Sequence, residues 1–166
     1  FTLVELLIVI VVVGILAAMM MLSSTESVTS AKANNIVSNL RNLKTAALAY
    51  YTDNMDDLSR KKAKDLGISV SRDIAPYLNN TDIPDIGNYT IMFTYENDVP
   101  ASESAWYLRY DAGSGITDKG DSARIRAKLA GRARSVGLLK GGSDGKPDVN
   151  NPAYDNSNGY VFYKVR

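Results

Sequence analysis

The sequence predicts an α+β chain: a long N-terminal α-helix of about fifty residues, its first half hydrophobic, packed on a small antiparallel β-sheet head with an extra short helix. Three observations carry this. The first 22 residues, FTLVELLIVIVVVGILAAMMML, are almost wholly apolar. Apolar residues then recur at helical spacing as far as Tyr50 and Tyr51, with no proline before Pro76 and only Gly14 as a glycine before Gly67. Beyond Asp53, three short runs alternate in the manner of half-buried strands.

The segment 1–22 would be about 33 Å long as a helix, close to the ~30 Å thickness of a bilayer hydrocarbon core. It lacks the basic leader and small-residue cleavage site of a secretory signal and is expected to stay in the mature protein. The segment 23–53 continues the helix. After the polar patch Ser23–Ser27, the residues Val28, Ala31, Ile36, Leu40, Leu43 and Ala47 mark an expected apolar stripe. Such a length exceeds the usual ten to fourteen residues of a globular helix and calls for a special role.

Residues 54–166 are expected to form the head. Turn signals and a basic patch, Arg60–Lys64, fill 54–88, with a short helix near 71–78. Tyr89–Tyr95 and Ser104–Tyr110 read as strands. A helix capped by Asp121 or Ser122 places Ile125, Leu129, Ala133 and Val136 on one face. The stretch 141–159 reads as loop and Gly159–Val165 as a final strand.

Composition narrows function. The 166 residues hold 19 lysines and arginines against 18 acids, so no global field draws the chain to nucleic acid. Cysteine and histidine are absent, which removes thiol nucleophiles, Cys-based zinc sites and the commonest general base. No nucleophile–base pair presents itself, and the expectation is a protein that is not an enzyme.

The residue that asks for explanation is Glu5, the one ionisable side chain in the apolar run. A charge at the centre of a bilayer costs at least ~2.5 kcal/mol on the most lenient scale, so an acid within such a segment points to function. Phe1 and Glu5 stand at i and i+4, within reach of one another on one helix. Between subunits, a carboxylate meeting an α-amino group in low dielectric would set axial register, as a buried polar residue does in a coiled coil. The competing account is a single-pass anchor whose acid snorkels to the headgroups.

Phe1, Thr2, Glu5, Gly14 and the unbroken apolar run to Ala18 resemble the N-terminus of type IV pilins and of their relatives, the type II secretion pseudopilins. The match is closest to a major pilin and covers about a tenth of the chain; the head agrees in architecture alone. The resemblance implies a leader removed before Phe1 by a prepilin peptidase, N-methylation of Phe1, and monomers held in the inner membrane by the helix. It implies an assembly machinery that lifts them into a homopolymeric pilus at the bacterial cell surface, where Glu5 meets the N-terminus of a neighbouring subunit. Filaments of this kind serve motility, adhesion, DNA uptake or secretion. Many pilins carry a proline near position 22, which with Gly14 is associated with local melting of the helix; here the residue is Leu22, so melting is less favoured.

Two further constellations have ordinary readings beside functional ones. Asp144, Asp148 and Asp155 lie in an oxygen-rich loop of the kind that suits calcium, and some pseudopilins bind it there; the spacing fits no EF-hand, and turn chemistry accounts for the same residues. No other cofactor is expected. From Arg124 to Lys140 there are basic residues and no acid. No aromatic residue interleaves with them, which favours solvent or intersubunit contacts over nucleic acid.

Overall fold

A single helix, α1 (Leu3–Asp53), dominates the computed structural model, which describes residues 2–79, 82–93, 100–116, 119–142, 145–148 and 153–166. Its 51 residues reach about 76 Å at 1.5 Å per residue. It passes through Gly14 and through the polar patch without a break. Hydroxyls here bond back to the helix without interrupting it: Thr25 Oγ1 donates to the Met21 carbonyl at 3.2 Å, and Thr29 Oγ1 to that of Thr25 at 2.8 Å.

At its far end Asn54 stops the helix. Its backbone (φ −110°, ψ 18°) leaves the helical region, and both its N–H (3.0 Å) and its side-chain Nδ2 (2.9 Å) donate to the Tyr50 carbonyl. The chain then turns into a short helix that sequence reading did not anticipate, α2 (Met55–Arg60), anchored by the buried Leu58. A π-helical turn at Val70–Ile74 and a 3-10 turn at Ala75–Tyr77 occupy the place of the short helix expected near 71–78.

The architecture is α+β. Strands β1 (Tyr89–Phe93), β2 (Trp106–Asp111), β3 (Leu138–Lys140) and β4 (Tyr160–Lys164) form one antiparallel sheet in the order β1-β2-β4-β3. Tyr110 pairs with Tyr89 and Val161, and Leu108 with Ile91 and Tyr163. Strand β3 falls between the expected helix and the expected loop at 141–159, where the sequence suggests no element; it is too short for a period of two to be visible in Leu138–Lys140. Helix α3 (Lys119–Val136) begins before the expected caps Asp121 and Ser122; Asp121, within its first turn, pairs with Lys32 of α1 at 2.8 Å. It ends at Gly137, whose φ of +83° is the left-handed conformation that glycine adopts without strain.

One sheet face, carrying Tyr89, Ile91, Trp106, Leu108, Tyr110 and Val161, joins a core with α1 and α3. Helix α1 contributes Ala33, Ile36, Val37, Leu40, Leu43, Ala46 and Ala47. The expected stripe is therefore right from Ile36 onward and out of phase before it. Val28 is exposed and Ala31 faces solvent, whereas Thr29 and Ala33 are buried. Thr29 enters the core because its hydroxyl is already satisfied by the backbone, leaving its methyl to pack. From α3, Ile125, Leu129 and Ala133 complete the core as expected, while Val136 is only partly covered. Trp106 is fully buried, donates from Nε1 to the Ala101 carbonyl at 2.9 Å, and meets the rings of Tyr51 and Phe93 edge-on. On the outer sheet face the C-terminal loop covers Phe162. Gly141 makes that approach possible, since a Cβ there would lie 2.8 Å from the Phe162 ring.

Candidate functional site

The described apolar side chains of the segment before the head are left uncovered by the rest of the chain. Every large apolar side chain described from Leu3 to Met21 is exposed by about half or more, Val12 the least at 49% and Leu3 the most at 81%. The exposure runs all round the helix rather than along one face, which is the pattern of a helix meant to be covered by lipid or by other helices. It is one helix long and apolar enough to cross a membrane.

At its tip Thr2 has the extended backbone of an N-cap (φ −88°, ψ 151°) and Glu5 occupies the third helical position. The Glu5 N–H donates to Thr2 Oγ1 at 3.3 Å. Glu5 Oε2 accepts in return from the Thr2 N–H at 2.7 Å and from the Thr2 hydroxyl at 3.0 Å. This is a capping box, in which two donors left over at a helix start are satisfied reciprocally. The spacing Thr-x-x-Glu at positions 2–5 is the sequence signal of such a box. Phe1, the expected partner of Glu5 and the expected site of methylation, lies outside the described residues. Gly14 has no atom within 4 Å of where a Cβ would stand, so the helix surface there is open.

Where α1 leaves the apolar run, α3 crosses it. Lys128 Nζ lies 2.7 Å from Glu26 Oε1, Lys32 Nζ lies 2.8 Å from Asp121 Oδ2, and Arg132 bonds to Asn34. Part of the basic face of α3, expected to meet solvent or neighbouring subunits, is thus engaged within the chain. The hydrogen bond from Lys128 and its charge hold the Glu26 carboxyl below the usual range. Beneath this crossing lies a groove of about 600 Å³ between Met21, Thr25 and Glu26 of α1 and Arg124, Ala127 and Lys128 of α3. Nothing in the sequence pairs these residues, since the two helices lie about a hundred positions apart.

Of the loop acids, Asp148 and Asp155 are placed by bonds to the protein itself. Asp155 Oδ2 accepts from Lys140 Nζ at 2.9 Å and its Oδ1 from the Ser157 N–H at 3.0 Å. Bonds from Ser157 and Lys140 hold its carboxyl well below the usual range. Asp148 donates its N–H to the Lys140 carbonyl at 2.8 Å, and Asp144 lies outside the described residues. Among the described residues no three acids converge on a common point. Comparison with protein-family models, with curated proteins and with solved structures finds no match to this chain.

Proposed function

We propose that this chain is a structural subunit that polymerises through its N-terminal helices into a filament of the type IV pilus kind, with the membrane as its station before assembly. The observation that carries the reading is the bare apolar rod, about 27 Å from Leu3 to Met21, exposed on all sides and joined rigidly to a folded head through one uninterrupted helix. A rod of this kind must be covered, and a bundle of identical rods covers it as well as lipid does. The resemblance of Phe1-Thr2-Leu3-Val4-Glu5 to pilin N-termini supports the same reading. In it, Glu5 leaves its capping partner or shares it, and meets the N-terminus, Phe1, of a neighbouring subunit. The leader peptidase, the methylated Phe1 and the location of the finished fibre outside the cell follow from that resemblance. A pseudopilin, building a shorter filament for secretion, uses the same geometry, and so does a minor pilin.

A second reading, a membrane-tethered binding domain, is favoured by the capping box. Thr2 satisfies the Glu5 carboxylate within its own helix, so the acid has a use without any neighbour. Electron microscopy of material sheared from the surface of producing cells, with mass spectrometry of the fibres, separates the two. Long fibres composed of this chain support the filament subunit. A chain found wholly in the membrane fraction, with no fibres, supports the tether.

A further inference from the structure

The groove under the α1–α3 crossing stands at a particular height. Met21, on its floor, is 18 residues beyond Leu3, hence about 27 Å along the helix, against ~30 Å of hydrocarbon in a bilayer. Between them the only ionisable side chain is Glu5, and the next along α1 is Glu26, on the groove wall. With the apolar run in a membrane, Met21 meets the ends of the acyl chains nearest the surface and the groove opens among the headgroups. Among the described residues its walls carry two cations, Arg124 and Lys128, and one acid, Glu26. Arg124 is exposed and, among the described residues, makes no ion pair and no side-chain hydrogen bond. A planar guanidinium in that position suits a phosphodiester, which it can grip with two parallel bonds. Lys128 adds a second donor at the same wall, and no acid occurs on α3 after Asp121 to weaken the field.

We infer that this groove binds the headgroup of an anionic phospholipid of the membrane that α1 crosses, with Arg124 and Lys128 on the phosphate and Met21 against the adjoining acyl chain. The inference rests on the reading of α1 as a membrane anchor and deepens it. The head does not hang freely from its helix; it is seated on the bilayer surface by the underside of α3. Zwitterionic lipids are disfavoured because their ammonium group meets the same two cations, and Glu26 is already engaged by Lys128.

The test uses the full chain in detergent micelles doped with equal amounts of phosphatidylglycerol, phosphatidylethanolamine and phosphatidylcholine, with retained lipid read by native mass spectrometry. Phosphatidylglycerol adducts are expected in excess by about fivefold for each basic residue engaged. Arg124→Gln with Lys128→Gln abolishes the excess. Arg132→Gln with Arg134→Gln, which removes equal charge from the same helix away from the groove, preserves it. Unchanged far- and near-ultraviolet circular dichroism shows that each variant is folded. Three results overturn the inference: equal retention of the three lipids, equal loss in both double variants, or displacement of the lipid by millimolar inorganic phosphate, which would make the site one for a free anion. A groove double variant that keeps its lipid preference but loses filaments also overturns it, assigning the groove to acids of a second copy. Alkaline extraction of membranes is run in parallel. A chain released by carbonate defeats the anchor reading itself, whereas a retained chain without lipid preference defeats this inference alone.

Discussion

Thr2 and Glu5 close a ring on each other: the Thr2 N–H donates to Glu5 Oε2 at 2.7 Å and the Glu5 N–H donates to Thr2 Oγ1 at 3.3 Å. The carboxylate therefore has two separable duties, a capping acceptor in its own helix and a charge offered to a neighbour. Glutamine at the same position can still accept from Thr2 but carries no charge. Glu5→Gln is expected to insert into membranes normally and to yield few or no fibres after shearing, measured by sedimentation and immunoblot. Thr2→Ala keeps the charge and removes the side-chain cap, a change that typically costs about 1 kcal/mol of helix stability. It is expected to fray the first turn, seen as faster amide exchange there, while leaving fibres detectable. Normal fibre yield from Glu5→Gln would confine the acid to capping.

Among the first two dozen residues, the described side chains add nothing to the core of the head. None of the large apolar side chains from Leu3 to Met21 is buried, and the first buried residue among those described in α1 is Thr29. A chain beginning at Ser24 is expected to melt at the same temperature as the head of the full chain, followed by the near-ultraviolet signal of Trp106. The same truncation is expected to leave the membrane fraction and to form no fibres. A truncated head that fails to fold would mean that the apolar segment stabilises it by contacts absent from the monomer.

Much of this arrangement was legible in the sequence for a simple reason: α1 has no competing signal over fifty residues, neither proline nor turn cluster, and the strands around Ile91, Leu108 and Val161 alternate cleanly. The failures are where tertiary contacts decide. The phase of the stripe before Ile36 follows α3, which covers Thr29 and Ala33 and leaves Val28 and Ala31 outside. Strand β3 exists because β4 offers Leu138 and Leu139 partners in Tyr163 and Phe162. At the site, Glu5 and the apolar rod could be read directly. The groove could not, because Glu26 and Lys128 meet only through the crossing of two helices.

That crossing depends on Leu129, which is fully buried between α3 and the core face of α1. Leu129→Ala removes three carbons from a site whose neighbours are held by two helices and the sheet, so collapse can be only partial. A loss of about 2–5 kcal/mol is expected, and with it a fall in Tm on the order of 10 °C by differential scanning calorimetry. The exposed Ala123→Ser, about 120° round the same helix, is the control and is expected to lower Tm by at most a few degrees. A Leu129→Ala chain as stable as the parent would show that α3 is held by its ion pairs rather than by packing.

Acid tests a second anchor, the π-helical turn at Val70–Ile74 that packs beside α1. Asp73 accepts from the Arg72 guanidinium at 2.8 and 2.9 Å and from the Ser69 N–H at 2.7 Å. The Arg72 hydrogen bond, more than the Ser69 one, holds its carboxyl below the usual range despite the opposing effect of burial. A carboxyl whose pKa is lower folded than unfolded binds fewer protons in the native state. Its contribution is therefore complete above the unfolded value of about 4 and is lost as pH falls through the lower, folded value. Asp73→Asn is expected to melt earlier than the parent at pH 7, and the difference is expected to close as the pH is brought down to about 3 and below. Arg72 is largely exposed, so salt should screen part of the effect and the difference at pH 7 should shrink in 1 M sodium chloride. A gap between the two chains that stays constant from pH 7 to pH 2 would show that the turn is held by the shape of Asp73 and the Ser69 N–H bond, with its charge making no contribution.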